Sequence, residues 1–123
     1  MKQRDSGIRM KRFQMEDRRR QVGQIETMIE EFGRIIGDLD REIAAEHRRT
    51  GIDDEKHFAY STFARAARQR RANLQASIDD LGSQLETAKT GLALVTAELG
   101  REEEKLERDL ASESGRQAER AVG

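Results

Sequence analysis

Apolar side chains recur every seven residues along most of this chain, in two tracks on each of two long segments. In the first segment the tracks are Ile8, Met15, Val22, Ile29, Ile36 and Ile43, and Ile25, Phe32 and Leu39. In the second they are Ala67, Leu74, Leu81, Ala88 and Val95, and Ile78, Leu85, Leu92, Leu99 and Leu106. Offsets of three and four between tracks place these side chains on one narrow helical stripe, here called the seam. The pattern predicts an all-α fold in which two long helices pack along this seam.

Capping residues indicate where the helices begin and end. Ser6 is a candidate N-cap of helix 1, and Gly51 is typical of the left-handed residue that follows a helix. Ser61 or Thr62 is a candidate N-cap of helix 2. The end of the chain has little apolar content, so we expect it to fray. The chain is therefore expected to be a single domain, with helix 1 at about 6–49, a connector at about 50–60, helix 2 at about 61–110 and a tail at 111–123.

The distribution of charge favours an antiparallel hairpin. Residues 1–25 carry eight basic and three acidic side chains, whereas residues 26–46 carry two basic and seven acidic ones. The second segment has the opposite order, because residues 65–71 contain four arginines and no acid, and residues 76–107 contain eight acids and three bases. Each exposed ion pair contributes little, but together they select orientation. An antiparallel coiled-coil hairpin places opposite charges side by side along both helices.

The heptad pattern allows several registers between the helices. A short connector favours the register in which Ile36 lies opposite Ala67 and Phe32 faces Arg71. That register seals the middle of the hairpin and leaves the far part of helix 2 uncovered, at Leu99, Leu106 and Leu110. The seam is also interrupted near the start of helix 1, where Lys11 and Arg18 replace apolar residues.

Composition excludes several classes of function. The chain has no cysteine or proline and nearly balanced charge, with 23 basic and 24 acidic residues. It shows no secretory signal or apolar membrane span, which predicts a soluble, intracellular protein. It contains no phosphate-binding loop, zinc-protease motif or serine-hydrolase motif. His47, His57 and the acidic run Asp53–Glu55 are typical of exposed loop residues. We predict no catalytic residue, metal or cofactor, and no enzymatic activity.

Side chains away from the seam are candidates for binding. Met10 and Phe13 either pack on helix 2 or form a partner-facing patch. Three aromatic residues near the connector, Phe58, Tyr60 and Phe63, either cap the hairpin or form an exposed recognition tip. The basic runs Arg18–Arg20 and Arg68–Arg71 resemble nucleic-acid patches, but opposing acids can account for both.

Several blocks of sequence resemble the flagellar export protein FliJ family in its alphaproteobacterial form. The blocks are 1–14, 19–29, 57–74 and 77–81, and the similarity extends over roughly residues 1–110. The most distinctive block is His57-Phe58-Ala59-Tyr60, because none of it follows from the heptad pattern. Ser61 stands where this branch of the family is expected to have proline.

The resemblance implies a non-enzymatic, stalk-like coiled coil of the flagellar type III export apparatus. Its implied location is the cytoplasm, beside the basal body at the inner membrane. Its implied partners are the hexameric export ATPase, the cytoplasmic domain of the export-gate membrane protein, and the export chaperones that it helps to escort. We assign the ATPase ring to the terminal end of the hairpin, through Lys2, Arg4, Arg9, Lys11, Arg12 and Leu106. We assign the gate to the connector, through Phe58, Tyr60 and Phe63.

Two alternatives remain from the sequence. One is a structural coiled coil that self-associates through residues 85–110, and the other is a basic-ended adaptor for nucleic acid or a membrane surface. We expect neither nucleic-acid binding nor insertion into a membrane.

Overall fold

The computed structural model describes residues 2–122, with Lys2 described by its backbone alone. It contains two helices, α1 at Lys2–Thr50 and α2 at Thr62–Val122, joined by a connector at 51–61. The described residues form no strand. The predicted all-α hairpin of two long helices is thereby confirmed.

Both helices extend beyond their predicted outer ends. α1 begins at Lys2 and not near Ser6, so Ser6 lies inside the helix, and Asp5 occupies its first turn. An acidic residue in the first turn stabilises a helix through its dipole. α2 continues to Val122 in place of the predicted end near residue 110 and the tail. Residues 111–122 are all exposed, but they contain many good helix formers and no proline, so the backbone continues without packing.

The connector is bounded by the caps that the sequence indicates. Gly51 has φ of 73°, a left-handed conformation that glycine adopts at no steric cost, and its N–H donates to the His47 carbonyl at 2.8 Å. At the start of α2, the Ser61 hydroxyl accepts a hydrogen bond from the Ala64 N–H at 3.2 Å. Ser61 is therefore the N-cap of α2, as predicted.

The helices form two compact units. The terminal unit combines the residues up to Val22 with those from Thr87 onward, and the connector unit comprises Gly23–Glu86. Within the terminal unit, Lys11 near the start of α1 contacts Glu98 far along α2. The helices therefore run antiparallel there, as the charge distribution predicts.

The core of the connector unit lies close to the connector. Leu39, Ile43 and Ala67 are each less than 10% exposed and form one buried cluster, and the partly buried Ile35 and Leu74 pack against it. These residues all occupy the predicted stripe or its margin. The seam is therefore confirmed as the buried face in this unit.

The predicted register is wrong by one heptad. Ala67 shares its cluster with Ile43 rather than Ile36, and Arg71 pairs with Asp40 instead of facing Phe32. The cause lies at the connector, where His47 bonds to Tyr60 and Glu46 bonds to Ser61. These contacts hold the start of α2 beside the end of α1. From there the two helices run in opposite directions, so that Ile43 lies beside Ala67.

The apolar side chains of the terminal unit are more deeply buried than predicted. Ile8, Val95 and Leu99 are only 3%, 8% and 6% exposed, so the expectation that Leu99 is uncovered is wrong. The shifted register explains this, because α1 reaches far enough along α2 for Arg4 to pair with Asp109. Leu106 is partly buried, whereas Leu110 is 48% exposed, as predicted.

Neither helix, over its described residues, is both long and apolar enough to cross a membrane.

Candidate partner-binding surfaces

Three of the predicted ATPase-binding residues lie together in the terminal unit. Arg9, Arg12 and Leu106 line a shallow cavity of about 340 Å³ with Asp5 and Ile8. Ile8 and Leu106 lie on the seam, so the cavity opens beside the point where the seam approaches its terminal end. With the carboxylate of Asp5, the two arginines leave one net positive charge beside this apolar surface. Such a surface suits a partner segment that is apolar and carries an acidic residue.

Most of the predicted basic residues are engaged within the chain. Arg4 pairs with Asp109 at 2.8 Å and with Glu102 at 3.5 Å. Lys11 pairs with Glu98 at 2.8 Å, and Arg12 pairs with Glu103 at 3.5 Å. These three basic residues are thus neutralised by acidic residues of α2. They leave less free positive charge at this end than the sequence suggests.

Arg9 differs from its basic neighbours. It contacts the Ser6 hydroxyl at 3.5 Å on its own helix, and it makes no ion pair among the described residues. The side chain of Lys2 lies outside the described part of the chain. Arg9 is therefore the predicted basic residue with the clearest capacity to bind an acidic partner.

Two basic residues interrupt the seam, and α2 accommodates each in a different way. Lys11 reaches Glu98 on the margin of α2. Arg18 lies against Gly91, where any Cβ atom would overlap its guanidinium group. Long basic side chains can leave an apolar interface in this manner and keep their charge near water. The sequence shows Lys11 and Arg18 as interruptions but gives no sign that Gly91 makes room for one of them.

Nearby positive charges lower the pKa of the Glu98 carboxyl group. The hydrogen bond and the positive charge of Lys11, with smaller contributions from Arg101 and Arg18, lower the pKa of Glu98 below its ordinary value of 4.5. A carboxylate whose pKa is lowered by folding stabilises the fold above its ordinary pKa. That contribution disappears as the pH falls through the pKa of the folded state.

We expect Glu98→Gln to lower the thermal midpoint more at about pH 6 than at about pH 3, because the contribution of the Glu98 carboxylate decreases as the pH falls toward its lowered pKa. Circular dichroism melts of both proteins at the two pH values measure this. Glu104→Gln is the control, because Glu104 lies on the same helix and makes no ion pair among the described residues. A pH-independent difference between wild type and Glu98→Gln would contradict the assignment.

The three aromatic residues near the connector separate into two groups. Tyr60 is 5% exposed, and its hydroxyl lies 2.8 Å from Nε2 of His47. Phe58 is 97% exposed and Phe63 is 54% exposed. Tyr60 thus acts as the cap that closes the connector, whereas Phe58 and Phe63 remain accessible to a partner. The predicted cap of the hairpin thus describes Tyr60, and the predicted exposed tip describes Phe58 and Phe63.

A polar network supports the Tyr60 cap. The Ser61 hydroxyl donates to Glu46 at 3.0 Å, and Arg49 pairs with the other oxygen of the same carboxylate at 2.5 Å. The hydrogen bond from Arg49 is the largest effect on Glu46 and lowers its pKa. Sequence reasoning missed Glu46 and His47 as partners of the connector, since both lie at ordinary positions of a charged helix.

Met10 and Phe13 are exposed by 60% and 66%. They therefore do not pack closely on α2, and the alternative of an open patch describes them better. Leu94 of α2 is similarly exposed, at 60%.

The basic runs are largely neutralised. Arg19 and Arg20 pair with Glu16 and Asp17, three residues earlier on α1. The acids that meet them therefore come from the same helix rather than from the opposing one. In the connector unit, Arg68 pairs with Glu55 and Arg71 pairs with Asp40. These pairings reduce the attraction of either run for a nucleic-acid backbone.

No group of three or more potential metal ligands was found among residues 2–122. Comparison of the chain with protein-family models, with curated proteins and with solved structures found no match.

Proposed function

We propose that this chain is a non-enzymatic component of the flagellar type III protein export apparatus. In this proposal it acts in the cytoplasm at the inner membrane, beside the basal body. It links the hexameric export ATPase to the cytoplasmic domain of the export-gate protein and assists the escort of export chaperones. The proposal rests on the resemblance to the FliJ family, and the two-helix hairpin is compatible with it.

The observation that favours a partner-binding role most directly is the terminal cavity. It combines an apolar floor, formed in part by Ile8, with Arg9, which has no ion-pair partner among the described residues. In an isolated structural hairpin, nothing requires a basic residue to remain unpaired beside an apolar cavity. We assign this cavity to the ATPase and the exposed Phe58 and Phe63 to the gate protein.

The self-associating alternative has weaker support. It depends on the apolar residues of α2 between 85 and 110, but Val95 and Leu99 are buried within the chain itself. The nucleic-acid alternative is weakened by the pairing of Arg19, Arg20 and Arg71 with acids.

We expect Arg9→Glu to reduce binding to the purified export ATPase by about fivefold or more, because a charge-assisted contact would become a repulsive one. Titration of the labelled chain with ATPase hexamer, followed by fluorescence anisotropy, measures this. Helicity should change little, since Arg9 makes one long side-chain hydrogen bond, to the Ser6 hydroxyl, and no ion pair among the described residues.

Arg116→Glu is the matched control, because it makes the same change of charge at an exposed position of the terminal unit. Equal losses in the two variants would indicate general electrostatic attraction rather than a site at Arg9. Undiminished binding of a fully helical Arg9→Glu variant would exclude the assigned role of Arg9.

A further inference from the structure

A groove in the connector unit combines charged and apolar side chains and is a second candidate binding site. It has a volume of about 600 Å³ and is lined by residues of both helices and the connector. Its lining includes Asp40, Ile43, Glu55, Tyr60, Arg65, Arg68, Arg71 and Ala72. Phe63 does not line it, and by helical geometry Phe63 lies on roughly the opposite side of α2 from Arg65 and Arg68. The groove is thus distinct from the surface that Phe63 presents.

Two of the three arginines in the groove are neutralised by carboxylates. Arg71 makes a two-point contact with Asp40, at 2.5 Å and 3.3 Å. Arg68 pairs with Glu55 of the connector. Paired guanidinium groups have little remaining attraction for another anion. Arg68 and Arg71 therefore line the groove without offering a free positive charge to a ligand.

Arg65 is held in place by neutral partners only. Its guanidinium carbon lies 5.3 Å from the centre of the Tyr60 ring, and its Nη2 donates to the Glu55 carbonyl oxygen at 3.0 Å. Tyr60 is itself buried and bonded to His47. No described carboxylate pairs with Arg65. Arg65 therefore keeps its full charge, with most of its N–H donors free, in a position that is already fixed.

The remaining chemistry of the groove limits the ligand. Three arginines and two carboxylates leave one net positive charge, which lies at Arg65. Ala72 adds exposed apolar surface, and the buried Ile43 lies at the base of the groove. A nucleic-acid backbone would bring successive phosphates close to Asp40 and Glu55, which repel them. A single carboxylate beside an aliphatic side chain brings only one negative charge to the groove and so meets less repulsion.

We propose that this groove docks an acidic peptide segment of a partner protein, in which a glutamate or aspartate side chain pairs with Arg65 and a neighbouring aliphatic side chain contacts the exposed Ala72. Since Tyr60 and the Glu55 carbonyl already hold the guanidinium group, binding costs little side-chain entropy. The inference goes beyond the proposed function, because it depends on the groove alone and not on the apparatus in which the chain acts.

The test uses the full chain and a fluorescein-labelled peptide in which glutamates lie beside leucines in a serine-rich background. Fluorescence anisotropy should show binding to the wild type, and much weaker binding of the same peptide with glutamine in place of glutamate. Arg65→Gln should weaken binding of the glutamate peptide by about fivefold or more, since a charge-assisted contact is lost.

Arg70→Gln is the matched control, because it removes the same charge from an exposed position of α2 that does not line the groove. It should leave binding nearly unchanged. Circular dichroism of each variant checks that the helices remain formed. Absence of binding to the wild type, equal binding of the two peptides, or equal losses in the two variants would each overturn the proposal. Tighter binding of a single-stranded oligonucleotide that also depends on Arg65 would overturn it in favour of a phosphate site.

Discussion

Replacing Leu39 with aspartate is expected to destabilise the hairpin by more than about 4 kcal/mol, through loss of apolar burial and enclosure of a charge without a partner. Leu39 is 4% exposed and belongs to the buried cluster of the connector unit. The effect is large for a chain of this size, because small domains have only about 5–15 kcal/mol of total stability.

Gln24→Asp provides the comparison for Leu39→Asp. It introduces the same side chain and the same change of charge on α1, but at an exposed position of the same unit. We expect it to alter the free energy of unfolding by less than about 1 kcal/mol. Urea denaturation followed by circular dichroism measures both variants. Similar losses for the two would mean that the seam does not bury Leu39.

A disulfide is expected to form within one chain when cysteines replace Ile43 and Ala67, and not when they replace Ile36 and Ala67. Both Ile43 and Ala67 belong to the buried cluster, whereas Ile36 lies one heptad away along α1. One heptad of helix is about 10 Å, and a disulfide requires Cα atoms less than about 7 Å apart. The chain has no cysteine of its own, so each double variant contains a single possible pair.

The result can be followed by mild oxidation and non-reducing electrophoresis at low protein concentration, where a disulfide within one chain changes mobility without doubling the mass. Leu94→Cys with Ala67→Cys serves as a further control, because Leu94 is 60% exposed and lies on the same helix. Efficient closure of the Ile36–Ala67 pair in place of the Ile43–Ala67 pair would restore the register that the sequence favours.

The sequence predicts the helices and the buried face well, because both depend on local periodicity. Gly51 and Ser61 cap the helices as predicted, since capping is also a local property. Both helices are longer at their outer ends than predicted, because Ser6 lies inside α1 rather than capping it and no residue near Leu110 stops α2. Residues after Leu110 remain helical on propensity alone.

The register could not be predicted from periodicity, because a shift of one heptad leaves the apolar pattern unchanged. It depends on hydrogen bonds that join different parts of the chain, between His47 and Tyr60 and between Glu46 and Ser61. A charged residue on a helix has many possible partners, and the sequence gives no means of choosing among them.

The same limitation applies to the candidate surfaces. The sequence identifies Arg4, Arg9, Lys11 and Arg12 as one basic cluster, but three of the four are paired within the chain. Similarly, Phe58 and Tyr60 belong to one sequence block and differ from 97% to 5% in exposure. Which member of a cluster remains free depends on the alignment of the two helices.

Gly91 and the basic residues of the seam offer a way for the chain to reject wrong alignments. Leucine at positions 11 and 18 would pack well in any register offset by seven residues, and would therefore not distinguish between them. Lys11 instead pairs with Glu98, and the Arg18 guanidinium group lies over Gly91. Sliding α2 by one heptad toward the register that the sequence favours would bring Gly91 in place of Glu98 near Lys11, and Gln84 in place of Gly91 near Arg18. Polar residues in a helical interface often weaken it while making one alignment much more favourable than its competitors. The two basic residues of the seam thus favour the observed pairing of the helices in the terminal unit over that shifted one.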